Sequence, residues 1–216
     1  HTALRRQRQM CIRDSAFISM LELQNRMNSK VHPQWQQQGY EWYRAIWTEC
    51  AELMDHHGWK WWKKQTPDTH QIQLEIVDIW HFGMSILLTS GDSVESIAET
   101  MEAQWKSANS TQDFLVAVEE LARNTLTTQH FSIPLFCQLM ELSDFSLVQL
   151  YHQYVGKNVL NFFRQDHGYK EGTYHKQWHG KEDNEHLAEI LNTVSDQTTD
   201  LQDTVYKELQ ARYPKA

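Results

Sequence analysis

Residues 42–53 read Trp-Tyr-Arg-Ala-Ile-Trp-Thr-Glu-Cys-Ala-Glu-Leu, and residues 72–82 read Ile-Gln-Leu-Glu-Ile-Val-Asp-Ile-Trp-His-Phe. In the first stretch Trp42, Ala45, Ile46 and Leu53 recur at the spacing of one buried helix face. In the second, Ile72, Ile79, Phe82 and Ile86 do the same. Both stripes contain an acidic pair three residues apart: Glu49-Cys-Ala-Glu52 and Glu75-Ile-Val-Asp78. Residues three apart share a helix face, and like charges there repel by roughly 0.2–0.5 kcal/mol when exposed. Carrying the same charges into an interior costs several kcal/mol per uncompensated ion, on the order of ten times more. Four carboxylates on the apolar side of two consecutive helices call for a positive partner. A hard, oxygen-seeking dication such as Mg2+ fits best, and four carboxylates suit more than one ion.

Working outward, the chain reads as helix after helix. Leu21, Leu23 and Met27 suggest a first helix over about 16–28, broken by His32-Pro33. A helix over about 38–56 follows and ends at His57-Gly58, Gly being the usual residue past a C-terminus. Thr66-Pro67-Asp68 opens the next, over about 68–89. Further helices are expected over about 94–107, 111–124, 133–142 and 145–165, the last capped by Ser143-Asp144. A loop over 166–180 carries Gly168, Gly172 and Gly180. Two final helices cover about 182–194 and 199–212. Only 8 Gly and 4 Pro occur in 216 residues. That leaves little turn chemistry for a sheet protein. The expectation is an all-α, single-domain helical bundle over residues 16–216. Residues 1–15 are compositionally foreign to it and read as a non-native or disordered extension, a remnant of cloning or sequence assembly.

The net charge is −8, and residues 1–15 contribute +3 through Arg5, Arg6, Arg8 and Arg13 against Asp14, which leaves −11 on the body. An acidic body argues against a broad nucleic-acid surface. No apolar run approaches the roughly 18 residues that cross a membrane. Cys11, Cys50 and Cys137 are scattered without metal-type spacing, which suits small buried residues in a reducing, cytoplasmic setting.

Three further groups carry chemistry. Lys157, Asn161 and Arg164 are spaced by four and three, with Lys170 beyond. They form either a solvated face or a phosphate clamp, Arg supplying a planar fork and Lys a point charge. Seven of the nine Trp lie between Trp35 and Trp80, and most of them read as core. Trp61 and Trp62 follow the first acidic helix and could face a nucleobase. Zinc is disfavoured because the twelve His form no ligand ladder. A di-iron bundle needs two Glu-x-x-His units, whereas only Asp78-x-x-His81 occurs. His81 therefore reads as a core residue or a support behind the ligands, and His167 as an exposed loop residue. The phosphate-binding Gly-rich loop and the His-Asp dipeptide of another phosphohydrolase class are both absent. Metal-assisted attack by water is the simplest chemistry left.

Taken together, these residues resemble the dimeric, all-α dUTP diphosphatases, a branch of the all-α nucleoside triphosphate pyrophosphohydrolases. The resemblance covers roughly residues 20–192. It rests on Leu23-Gln24 through Met27-Asn28, Glu49-x-x-Glu52, Trp59-Lys-Trp-Trp-Lys63, Glu75-x-x-Asp78 with His81-Phe82, residues 157–174, and Lys181-Glu-Asp-Asn-Glu185. The acidic pairs fit the wider superfamily; the Trp segment and residues 157–185 point to the dUTP branch. The resemblance implies that Glu49, Glu52, Glu75 and Asp78 hold Mg2+, with Glu49 orienting or deprotonating the attacking water. It implies that Lys157, Arg164 and Lys170 grip the phosphates, helped by Asn161 and Tyr174. Gln24, Asn28, Trp62 and Asn184 would surround uracil and deoxyribose. It further implies a homodimer that converts dUTP, and often dUDP, to dUMP. The alternatives are a pyrophosphohydrolase for another nucleoside triphosphate, modified bases included, and a non-catalytic helical protein that binds nucleotide.

Overall fold

A computed structural model describes residues 2–105, 112–194 and 200–214, with side chains from Ser15 onward. Nine α-helices are present among the described residues: α1 (Thr2–Val31), α2 (Trp42–His57), α3 (Thr69–Leu88), α4 (Val94–Gln104), α5 (Phe114–Thr128), α6 (Ile133–Leu142), α7 (Leu147–Asp166), α8 (Asp183–Thr193) and α9 (Leu201–Arg212). A 3-10 turn, Trp35–Gln37, precedes α2, and a short antiparallel pair, β1 (Gln177–Trp178) and β2 (Lys181–Glu182), precedes α8.

Local chemistry sets the helix starts. Asp68, Ser93, Asp113, Ser132 and Ser146 each accept a backbone N–H in the first turn of α3 to α7. Such a bond satisfies one of the orphan donors at a helix start and contributes about 1 kcal/mol. The cap of α7 differs from the expected Ser143-Asp144. Ser146 takes the role, with Gln149 returning a side-chain bond to its backbone, and Asp144 instead adopts a left-handed φ of 51°. Helix α1 extends past the expected 16–28 at both ends, and α2 begins four residues later than expected, after a turn with Gly39 at φ 65°. The expected helix end at 105–107 and start at 111 fall partly outside the described residues. The pair β1–β2 lies within the expected loop and its edge. His179 and Gly180 join the strands, both at positive φ (48° and 80°), as two-residue hairpin turns require.

Helix α3 is the axis of the bundle. Ile72, Ile76, Val77, Ile79, Trp80, Met84 and Leu88 are all buried, and it packs on α2, α1, α7 and α4. Trp80 is fully buried, stacks on Phe136 at 4.8 Å, and donates its N–H to Met20 Sδ at 3.3 Å. Gly83 lets Phe131 approach so closely that a Cβ there would lie 2.6 Å from the ring. Of the seven clustered Trp, the core therefore takes in only Trp35 and Trp80, with Trp42 packed against it. Trp35 and Trp80 are buried, Trp42 is partly buried, and Trp47, Trp59, Trp61 and Trp62 are exposed. The physical reason is the loop after α2: Gly58 turns the chain at φ 94°, and residues 59–64 pack their rings on one another instead of on a helix. No described helix is long and apolar enough to cross a membrane.

Candidate active site

The α2–α3 pairing, the most extensive in the bundle, sets the two acidic segments side by side. One carboxylate oxygen from each of Glu49, Glu52 and Glu75 lies within 4.8 Å of the other two. Their environments are unequal. Glu75 is buried, Glu49 half-buried and Glu52 exposed, so Glu52 sits at the rim and not within the apolar stripe. Asp78 stands outside this trio and accepts Lys157 Nζ at 3.1 Å. His56 Nε2 is 3.4 Å from Glu75 Oε1.

Burial first, and then the charge of Asp78, pushes the Glu49 carboxyl up to about 8, with a hydrogen bond to Glu75 and the charges of Glu75 and Glu52 adding to it. Burial also raises Glu75, against the bond from Glu49. The two thus share a proton near neutral pH, the least costly cation available to crowded carboxylates. A dication would balance the same oxygens with more charge. The donor set is all oxygen and open to solvent on the Glu52 side, which suits Mg2+ better than zinc.

Asp78 links this cluster to a cleft of about 250 Å³. Gln24, Asn28, Asp78, His81, Phe82 and Asn161 line it, with Met27, Val31, Trp35, Tyr40 and Trp42. Behind it lies a buried polar network. Gln24 Nε2 donates to Asn28 Oδ1 (3.0 Å) and Ser85 Oγ (3.2 Å). Gln24 Oε1 accepts from Tyr154 Oη at 3.0 Å and lies 2.8 Å from His81 Nδ1. The Gln24 amide is thereby fully committed. Asn28 also donates to Ser85 Oγ at 2.9 Å, which leaves one N–H and one lone pair of its amide. Trp42 Nε1 and His81 Nε2 are buried without a partner among the described residues. Burial, opposed by Asp78 and aided by Lys157, pushes His81 down to about 4. His81 is therefore neutral, and it is buried as expected. A larger cleft of about 380 Å³ lies at the far end of α3, near Ile97, Met101 and Phe131, and contains none of the four acids.

The α7 residues line up beside the cleft. Lys157 is buried against Asp78. Arg164 donates from Nε and Nη2 to the two oxygens of Asp183 (2.8 and 2.9 Å) and from Nη1 to Asn161 Oδ1 (3.2 Å). This is an internal ion pair rather than a solvated stripe. Tyr174 Oη donates to Asp183 Oδ2 at 2.9 Å. Lys170 is exposed, its Nζ 3.4 Å from the Val31 carbonyl at the cleft wall. Asn184 keeps a buried Oδ1 without a partner among the described residues. Trp62 is exposed on the 59–64 loop, outside the cleft lining. His167 corrects its expected place as an exposed loop residue. It is half-buried at the end of α7, stacked on Phe163 at 3.9 Å, with Nδ1 2.8 Å from the Phe163 carbonyl.

Sequence reasoning missed Ser85, Tyr154 and Asp183. Ser85 and Tyr154 sit on apolar faces, where a hydroxyl gives no periodic signal. Asp183 opens α8, where an acidic residue reads as ordinary compensation of the helix dipole.

A family model described as dUTPase matches residues 16–169, which include all four acids and three of the clamp residues on α7. A search of curated proteins found no match.

Proposed function

This chain belongs to the dUTPase family, enzymes that hydrolyse dUTP, and from that premise we propose that it is a Mg2+-dependent diphosphatase that converts dUTP, and also dUDP, to dUMP. The observation that carries the reading is the meeting of Glu49, Glu52 and Glu75 beside a nucleoside-sized cleft. Glu49, Glu52, Glu75 and Asp78 would hold the metal, Asp78 after release from Lys157. Bound there, Mg2+ would supply shielding of phosphate charge and a lowered pKa of water.

The remaining steps belong to the chain. Glu49, half-buried between the exposed Glu52 and the buried Glu75, orients the attacking water and takes its proton. Lys157, Arg164 and Lys170 bind the phosphates, with Asn161 and Tyr174 alongside. In dUTP the bond broken lies between the α- and β-phosphates, and pyrophosphate departs. Asn28 presents the free half of its amide to uracil, while Gln24 fixes the orientation of Asn28 and Asn184 faces the sugar. Trp62 reaches a bound base only when its loop closes over the cleft. A snug cleft would reject the thymine methyl and the ribose 2′-hydroxyl. This activity keeps uracil out of DNA and supplies dUMP.

The domain is taken as residues 16–216, with 1–15 as an extension outside it; the start of the family match at residue 16 supports this division. A cytoplasmic homodimer completes the reading, supported by the scattered cysteines and by the resemblance. The test is pyrophosphate release from dUTP, dTTP, dCTP and UTP, with Mg2+ and with EDTA. Turnover of dUTP alone, abolished by EDTA, is expected. Equal rates on all four nucleotides would contradict the uracil assignment, and full activity in EDTA would contradict the metal.

A further inference from the structure

We propose that Asp183, braced by Tyr174, is a positioning residue that holds the guanidinium of Arg164 in its phosphate-binding orientation. The inference rests on the reading of Arg164 as a phosphate ligand. Both residues lie beyond the stretch matched by the family, so membership does not assign them this role.

Asp183 is fully buried. Its carboxylate receives Arg164 Nε on Oδ2 and Nη2 on Oδ1, the bidentate geometry in which carboxylate and guanidinium planes match. Tyr174 Oη donates to the same Oδ2. The tyrosine is itself held, because its ring stacks on Tyr213 just past α9 at 5.5 Å and 10°. Burial alone would raise the Asp183 carboxyl. The bonds and charge of Arg164, with Tyr174, hold it below its ordinary value instead, so it stays an anion across the neutral range.

A buried anion this well satisfied is not a competitor that phosphate displaces. Its side chain has no exposed surface, so a phosphate cannot approach it. What it does is take one edge of the fork. Arginine has five N–H donors. Asp183 uses two and Asn161 a third, which leaves one N–H on each of Nη1 and Nη2 uncommitted among the described residues. Asn161 also lines the cleft, so the donors left over belong to the edge beside Asn161. A free arginine loses much rotamer freedom on binding an anion. Here that cost is met on folding, which favours phosphate binding by preorganisation.

The test compares affinities for α,β-imido-dUTP, which carries phosphates, and deoxyuridine, which does not, measured by calorimetry with Mg2+ present. Asp183→Asn is expected to weaken the imido analogue at least tenfold and to leave deoxyuridine within twofold. In an Arg164→Lys background the same change should add less than twofold, because Asp183 acts through the guanidinium. Tyr174→Phe should weaken the analogue about threefold, spare deoxyuridine and add less than twofold in the Arg164→Lys background, and with that dependence it carries the test if Asp183→Asn does not fold. Equal losses for both ligands would mark a merely structural role and overturn the proposal. An undiminished effect of Asp183→Asn in the Arg164→Lys background would overturn it as well. If Arg164→Lys itself leaves the analogue affinity unchanged, the reading of Arg164 as a phosphate ligand fails, and the positioning role with it.

Discussion

Two charged regions flank the same cleft and solve burial in opposite ways. Between α2 and α3, Glu49, Glu52 and Glu75 face one another, and the deepest pair holds a proton against its ordinary acidity. Between α7 and α8, Arg164 meets Asp183 fork to fork, and every Asp183 oxygen is satisfied. The first arrangement is incomplete without an added positive charge; the second is complete by itself. Incompleteness marks the place where a metal enters, whereas the balanced pair fixes Arg164 and leaves it one N–H on each of Nη1 and Nη2 for a ligand.

The contrast yields predictions in descending size. Glu49→Gln should lower kcat by about 10²–10⁴, the usual contribution of a positioned base, without lowering the stability of the metal-free protein. Pyrophosphate release and urea unfolding check the two halves. Arg164→Ala should cost about 3–5 kcal/mol, because it leaves Asp183 buried and unpaired. Glu75→Gln, by contrast, should be neutral or stabilising in the absence of metal, since it removes repulsion. Equal losses in urea titrations of these two variants would erase the distinction.

The regions should also differ in pH response. The folded-state affinity of Glu49 for protons is raised, from an ordinary 4.5 to about 8. Between these values the folded state binds more protons than the unfolded chain, so stability is greatest below about 4.5 and falls as pH rises toward 8. Screening at this half-exposed group reduces the loss to roughly 1–2 kcal/mol, or about 2–4 °C in Tm per kcal/mol. Saturating Mg2+ should flatten this slope in thermal melts. Asp183 has the opposite sign: held low, it stabilises above its ordinary range and loses that contribution only in acid. Thermal melts that rise between pH 5 and 8 without metal would reverse the assignment. Smallest of all, Trp61→Ala should change stability by less than about 0.5 kcal/mol, because that ring is 89% exposed.

The same contrast explains what the sequence made legible. Glu49 and Glu52, like Glu75 and Asp78, are neighbours along one helix, and a three-residue spacing on an apolar stripe can be read directly. The helices themselves were readable for the same reason, from apolar periodicity and from caps such as Asp68 and Ser93. The Arg164–Asp183 pair joins two elements across a hairpin and leaves no periodic trace. The Ser146 cap was missed because Ser143-Asp144, two residues earlier, carries similar chemistry. Trp rings read as core by composition, yet Trp59, Trp61 and Trp62 stay on the surface because their loop leaves the bundle at Gly58. Glu52 reads as inward by spacing and lies at the rim, where the apolar stripe meets solvent.

The central claim is that the carboxylates of Glu49, Glu52 and Glu75 share a hard dication. The direct measurement is an anomalous difference map from crystals grown with Mn2+ and α,β-imido-dUTP. The account predicts a peak within coordinating distance of oxygens from all three residues and of the analogue's phosphates. A map in which manganese binds elsewhere, with these carboxylates still hydrogen-bonded to one another, would contradict it.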